Sequence, residues 1–315
     1  MEYSNFCSDL KTEVERIMGP NYNVRFESVL KNNQVSYDAL IIMKKGENMA
    51  PTVCLDGYYE EYVKGRNVTD IALDIIIWHE RYKDELVIDF DLLSDYESMK
   101  GNIFVKVINA NMNEQLLERL PHIQIYDLAL VAYWILEENG ERRGSANITC
   151  AQMKLWNIGL DDMFTNAIAN TKEKYPPKLE HMSDMMKELL AARMKASGYK
   201  VGLDEEMDRA LANAIQEIDR MSEQKVYVLT NTRKLDGAVY IVMDDVLEHI
   251  ANQLNSDYYI LPSSVHELLL LPADECLDYE YLRDMVVSVN TNHVEQEEVL
   301  SDMVYYYKRN MGIIC

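Results

Sequence analysis

The chain has 315 residues, 48% hydrophobic and 27% charged, the composition of a folded soluble protein rather than a disordered one. Asp and Glu number 53 against 31 Lys and Arg, a formal net charge of -22. That balance argues against a nucleic-acid binder, whose phosphate contacts need clustered cations, and against docking on an anionic membrane.

The first predicted element is a helix with Phe6, Leu10, Val14 and Ile17 on one face, capped by Ser4 or Asn5 and stopped at Gly19-Pro20. In "NYNVRFESVL", Tyr22, Val24 and Phe26 alternate with polar neighbours, "KNNQ" makes a turn, and "VSYDALIIM" returns as a second strand. A short strand "PTVCL" leads through "YYEEYVKG" to the helix "VTDIALDIIIWHERY". After Gly101, "NIFVKVIN" reads as a strand, and "DLALVAYWIL" as a buried strand or a short helix, which periodicity does not separate. "GSANITC" is its expected partner across "ENGERRG". Leu160, Met163, Phe164, Ala167 and Ile168 mark a further helix after "WNIG", with Asp161 and Asp162 in its first turn.

From Pro176-Pro177 to Gln224 the chain is rich in Met and Glu and reads as helical, without strand signals. Beyond it, "KVYVLTN" and "AVYIVM" are expected as two strands joined at Asp236-Gly237. A helix capped by Asp244 or Asp245 follows, with Leu247, Ile250, Ala251 and Leu254 inside. Then come "DYYILPSSVHELLLLPAD", the helix "DYEYLRDMVVSV" and a last strand, "DMVYYYK". The order implies an α+β fold: two modules, 1–175 and 225–315, with largely antiparallel sheets flanked by helices, joined by a helical connector over 176–224. In the second module the helices are expected on one face of the sheet.

Together "APTVCLDGYYEEY", "LPHIQIYDLALVAYWIL", "NITCAQMKLWNIGLDDMFTNAIANT", "YVLTN", "DGAVYIVM", "DYYILPSSVHELLLLPAD" and "VLSDMVYYY" resemble an uncharacterised family of unknown function common in Clostridia and other gut Firmicutes. "WNIGLDDMFTNAIANT" and the bend near Pro262 are distantly similar to the YtpQ family. The resemblance covers most of the chain outside the connector and implies no activity.

The stretch that looks most like a site is Ser263, Ser264, His266 and Glu267 between the apolar runs Tyr258–Leu261 and Leu268–Leu271. On a strand Ser264 and His266 share a face, so a nucleophile and base is one reading. No Gly-x-Ser-x-Gly elbow surrounds either serine. Proline and hydroxyls between such runs more commonly make a sheet bend, the hydroxyls satisfying interrupted backbone groups. Tyrosines cluster at 58–62, 258–259 and 305–307, and Tyr258 and Tyr306 join the bend as candidate binding residues. The six histidines show no His-Glu-x-x-His spacing and the twelve glycines no phosphate loop, so no metal and no cofactor are expected. Cys7, Cys54, Cys150, Cys276 and Cys315 are scattered and read as free thiols. With no basic-then-apolar leader at the start and no apolar run of membrane-spanning length, the cytoplasm is the expected location. The reading is a non-catalytic module that binds a macromolecule, with a basic protein as the partner class. Its rivals are a DNA-mimicking inhibitor of a nuclease or restriction system, and a hydrolase with a dispersed site near Ser264 and His266.

Overall fold

Phe6, Leu10 and Val14 recur every four residues, and the helix they form, α1 (Glu2–Met18), leaves none of the three exposed in the computed structural model. The structure describes residues 2–47, 50, 52–82, 90–138, 141–198, 205–262, 264–273 and 278–314. Ser4 and Asn5, expected at the cap of α1, lie inside its first turns, because the helix already begins at Glu2. Gly19 closes it at φ +75, a conformation that costs a residue without Cβ little.

Strands β1 (Tyr22–Leu30) and β2 (Ser36–Lys44) pair antiparallel from Tyr22↔Lys44 to Leu30↔Ser36, and β3 (Thr52–Cys54) adds to β2. Helices α2 (Asp56–Val63) and α3 (Val68–Tyr82) follow. Ile71, Ala72, Ile75 and Ile76 of α3 join Phe6, Leu10, Val14, Val24, Leu40 and Ile42 in one core. Then come α4 (Phe90–Ser94), α5 (Tyr96–Met99), β4 (Ile103–Asn109), α6 (Glu114–Leu117), β5 (His122–Ile125), β6 (Leu128–Glu138) and β7 (Glu141–Asn147). The segment that periodicity left open is thus a strand, β6. Leu128 to Ile135 are all buried, and a strand covered on both faces shows no alternation.

Helices α7 (Cys150–Trp156) and α8 (Leu160–Lys174) lead to β8 (Pro177–His181), α9 (Met182–Ser197), α10 (Glu205–Met221) and β9 (Tyr227–Asn231). The stretch read as purely helical therefore opens with a strand. β8 takes an outer place in its sheet, where a proline at the end does not break a ladder. Gly198 ends α9 in a left-handed conformation, and residues 199–204 lie outside the described residues. The last elements are α11 (Asp244–Leu254), β10 (Tyr258–Leu261), β11 (Leu268–Pro272), α12 (Tyr279–His293), β12 (Tyr305–Lys308) and β13 (Gly312–Ile314). Asp244 and Asp245 lie in the first turn of α11 rather than at its cap, which is Met243.

The described strands form three sheets: β1-β2-β3, then β13-β12-β10-β11-β9-β8, and β4-β6-β5 with β7 on β6. Neighbours run antiparallel throughout the first two sheets, as do β5 and β7 against β6 in the third. Contacts divide the chain into two units. One comprises Met1–Ile103, Met112–Pro121 and Tyr133–Met163, the other Phe104–Asn111, His122–Ala132 and Phe164–Cys315. The fold class is α+β.

In the second unit the six-stranded sheet carries helices on both faces, not on one as expected. Tyr259, Leu269 and Leu271 pack with Leu282, Met285 and Val286 of α12. Tyr258, pointing the opposite way by strand alternation, donates its hydroxyl to the Leu247 carbonyl of α11 at 2.9 Å. "AVYIVM" is not a strand either. Gly237–Val242 is a 3-10 helix whose residues 237–241 are buried.

Candidate functional site

The bend joining β10 to β11 belongs to the second unit. Ser263 lies outside the described residues. Ser264 makes an isolated bridge to Val299, and its Oγ accepts the backbone N–H of His266 at 3.1 Å. A short polar side chain thereby serves a backbone donor that no ladder reaches. Val265 N–H donates to the Glu298 carbonyl at 2.9 Å and Ser301 N–H to the Pro262 carbonyl at 3.0 Å.

His266 ties the bend to the 3-10 segment. Its carbonyl accepts Gly237 N–H at 3.0 Å and the Thr230 hydroxyl at 2.8 Å. Its Nδ1 accepts Asp236 N–H at 3.1 Å, and its Nε2 stands 3.3 Å from Glu298 Oε1. With Nδ1 accepting, the neutral ring carries its proton on Nε2, aimed at that carboxylate. Both ring nitrogens are thus engaged by groups other than Ser264. Glu267 sits beside this junction, and burial pushes its carboxyl above the ordinary range, with the nearby Glu298 adding to the effect.

Tyr258 is fully buried and stacks on Tyr307 across the β10–β12 pair at 5.1 Å. Tyr306 is half-buried, meets Tyr259 at 5.0 Å and donates its hydroxyl to Asp257 Oδ2 at 3.1 Å. These two candidates and the bend share one sheet, while the hydroxyls of the tyrosines go to the Leu247 carbonyl and to Asp257.

A cleft of about 560 Å³ in the first unit was not singled out from sequence. It is lined by Ser94 to Glu97, Leu155 to Ile158 and Asp162. Thr149 caps α7 by accepting Gln152 N–H, and Asn157 ends it in a left-handed conformation at φ 53. Trp156 is thereby held at the last turn, where its indole donates to the Leu93 carbonyl at 2.9 Å and its ring meets Tyr96 at 5.7 Å. Three acidic residues line the same cleft. Asp95 caps α5 through Ser98 N–H and Oγ, bonds that hold its carboxyl below the ordinary range. Glu97 meets Lys100 Nζ at 2.5 Å, and Asp162 lies in the first turn of α8, where the helix dipole favours negative charge. Leu155 stands 63% exposed at the same cleft. The local signal was Trp156 followed by Asp161-Asp162; nothing local announces Tyr96, sixty positions earlier.

A family model described as a family of unknown function matches residues 3–309. The chain belongs to that family, DUF5688. The match spans the bend, the tyrosine strands and the cleft, so both candidate regions lie within DUF5688 itself. No curated protein and no solved structure matches the chain. Among the described residues no helix is long and apolar enough to cross a membrane, and no group of three or more His, Cys, Asp or Glu is placed to hold a metal ion.

Proposed function

We propose that this DUF5688 chain is a non-catalytic module that binds a basic protein partner, taking a Lys or Arg side chain in the Trp156 cleft. The observation that carries the reading is the pairing of an aromatic wall, Tyr96 and Trp156, with the carboxylates of Asp95, Glu97 and Asp162 around one open cleft. A long cationic side chain lays its methylenes on apolar surface and keeps its head among polar groups, so Leu155 and Trp156 suit the stem and the carboxylates the head. The net charge of -22 favours approach of such a partner over a distance set by ionic strength.

The hydrolase alternative gains no support from the bend, since the His266 ring faces Asp236 N–H and Glu298 rather than Ser264 Oγ. The resemblance and composition favour a cytoplasmic protein of Firmicutes, with YtpQ proteins as distant kin. The test is fluorescence anisotropy with labelled oligo-lysine and oligo-arginine peptides in 50 mM and 150 mM salt. Binding that weakens with salt, and that weakens at least fivefold in the double variant Glu97→Gln, Asp162→Asn, is expected. No binding at 50 mM salt, or equal binding by the variant, would overturn the reading.

A further inference from the structure

Helices α9 and α10 of the second unit form an antiparallel hairpin. His181 Nε2 meets the Gln224 carbonyl at 2.7 Å, and Lys187 Nζ stands 3.9 Å from Asp219 Oδ1. Farther along, Leu190 and Met194 line one groove with Ile215 and Leu211, in the same descending register. The groove walls are Leu190, Ala191 and Met194 on α9 and Leu211, Ile215 and Ile218 on α10, with Lys187 at one end. On α10 the spacing is i, i+4, i+7, an apolar stripe of helical period. Yet of these wall residues only Ile218 is buried, and Ile215 is 46% exposed. An apolar helix stripe is stable when another element covers it, and two antiparallel helices with one such face left open make half of a four-helix bundle.

The charges say what fits. α9 carries Lys187, Arg193 and Lys195 against Asp184 and Glu188, whereas α10 carries Glu206, Asp208, Glu217 and Asp219 against Arg209 and Arg220. One helix is therefore in positive excess and the other in negative excess. A purely basic or purely acidic helix would suit only one of the two. An occupant that matches both must present a basic and an acidic helix side by side, of the same 16 and 17 residues in length, with an apolar seam between them. The hairpin of a second copy does so under a two-fold axis, which sets each α9 against the partner's α10.

We propose that two copies of this chain associate face to face through their α9–α10 hairpins, closing a four-helix bundle over the groove. The surface is separate from the Trp156 cleft and does not depend on it. Sedimentation velocity of the full chain from 1 to 100 µM in 150 mM salt is expected to show a species of twice 36.6 kDa. Ile215→Asp, at a half-exposed position, is expected to weaken the dimer at least tenfold with the far-UV circular dichroism unchanged, and Met194→Glu to do the same. Leu189→Asp is the control. Leu189 is 51% exposed on α9 but does not line the groove, so this variant should remain dimeric. A wild-type chain that stays monomeric at 100 µM would overturn the proposal. So would a dimer that survives both groove variants, or one that Leu189→Asp dissociates equally well.

Discussion

Glu267 shows what burial does to a single side chain. Its carboxyl is pushed up chiefly by loss of solvent, against the smaller attraction of His266 and Lys234. A carboxyl whose folded value is raised binds more protons in the native than in the unfolded chain. Its contribution is full below the ordinary carboxylate value of about 4.3 and is lost as pH rises through the elevated folded value. At pH 7 Glu267 therefore costs stability. Glu267→Gln, which keeps the shape and removes the charge, is expected to melt about 1–3 °C higher than the wild type at pH 7. The difference should vanish below about pH 4, where both states of the wild type are protonated. Paired melts at the two pH values check this, and a gain that grows on acidification would contradict it.

At the scale of elements, the junction of β9, the 3-10 segment and the bend is set by close approach. A Cβ on Gly237 would lie 2.6 Å from the His266 carbonyl oxygen, 2.8 Å from Thr230 Cα and 2.5 Å from Thr230 Oγ1. Two of these are backbone atoms, which do not swing aside. Gly237→Ala is therefore expected to destabilise by about 1–3 kcal/mol, and urea melts should show it as a lowered midpoint with an unchanged slope. A midpoint within error of the wild type would mean that the two backbones leave room for a methyl group. The same junction explains why "AVYIVM" misleads. A run of apolar residues carries no period that separates strand from helix. Gly237 and Ala238 donate to the His266 and Val265 carbonyls at the bend, so the chain meets it end-on and turns as a 3-10 helix.

For the whole molecule, charge is the property that reaches farthest. A net charge of -22 should leave duplex DNA unbound at micromolar protein in 150 mM salt, because phosphate neutralisation needs an excess of cations and Asp and Glu outnumber Lys and Arg here by 53 to 31. A gel shift with random duplex checks it, and retarded DNA would count against an acidic binding surface. The edges of the six-stranded sheet were the least legible part of the architecture. β8 and β13, its two outermost strands, span five and three residues and were not read as strands. Edge strands are often short, and charge or proline blunts them, so they lack the alternating pattern of a half-buried strand.

What the sequence determined by itself is the set of elements whose burial is one-sided and regular. The stretch expected as a helix from Val68 to Tyr82 is α3, and the alternation of Tyr22, Val24 and Phe26 became β1, paired over nine positions with β2. The acidic character and the family resemblance were legible for the same reason, as each is a property of the chain read in order. Tertiary structure decided what depends on residues far apart in that order. It faced the His266 ring to Asp236 and Glu298, placed α11 and α12 on opposite faces of one sheet, and set Tyr96 against Trp156. No local periodicity carries that information, because a hydrogen bond or ring contact across 30 to 60 positions is fixed by how the elements pack and not by the propensity of either partner.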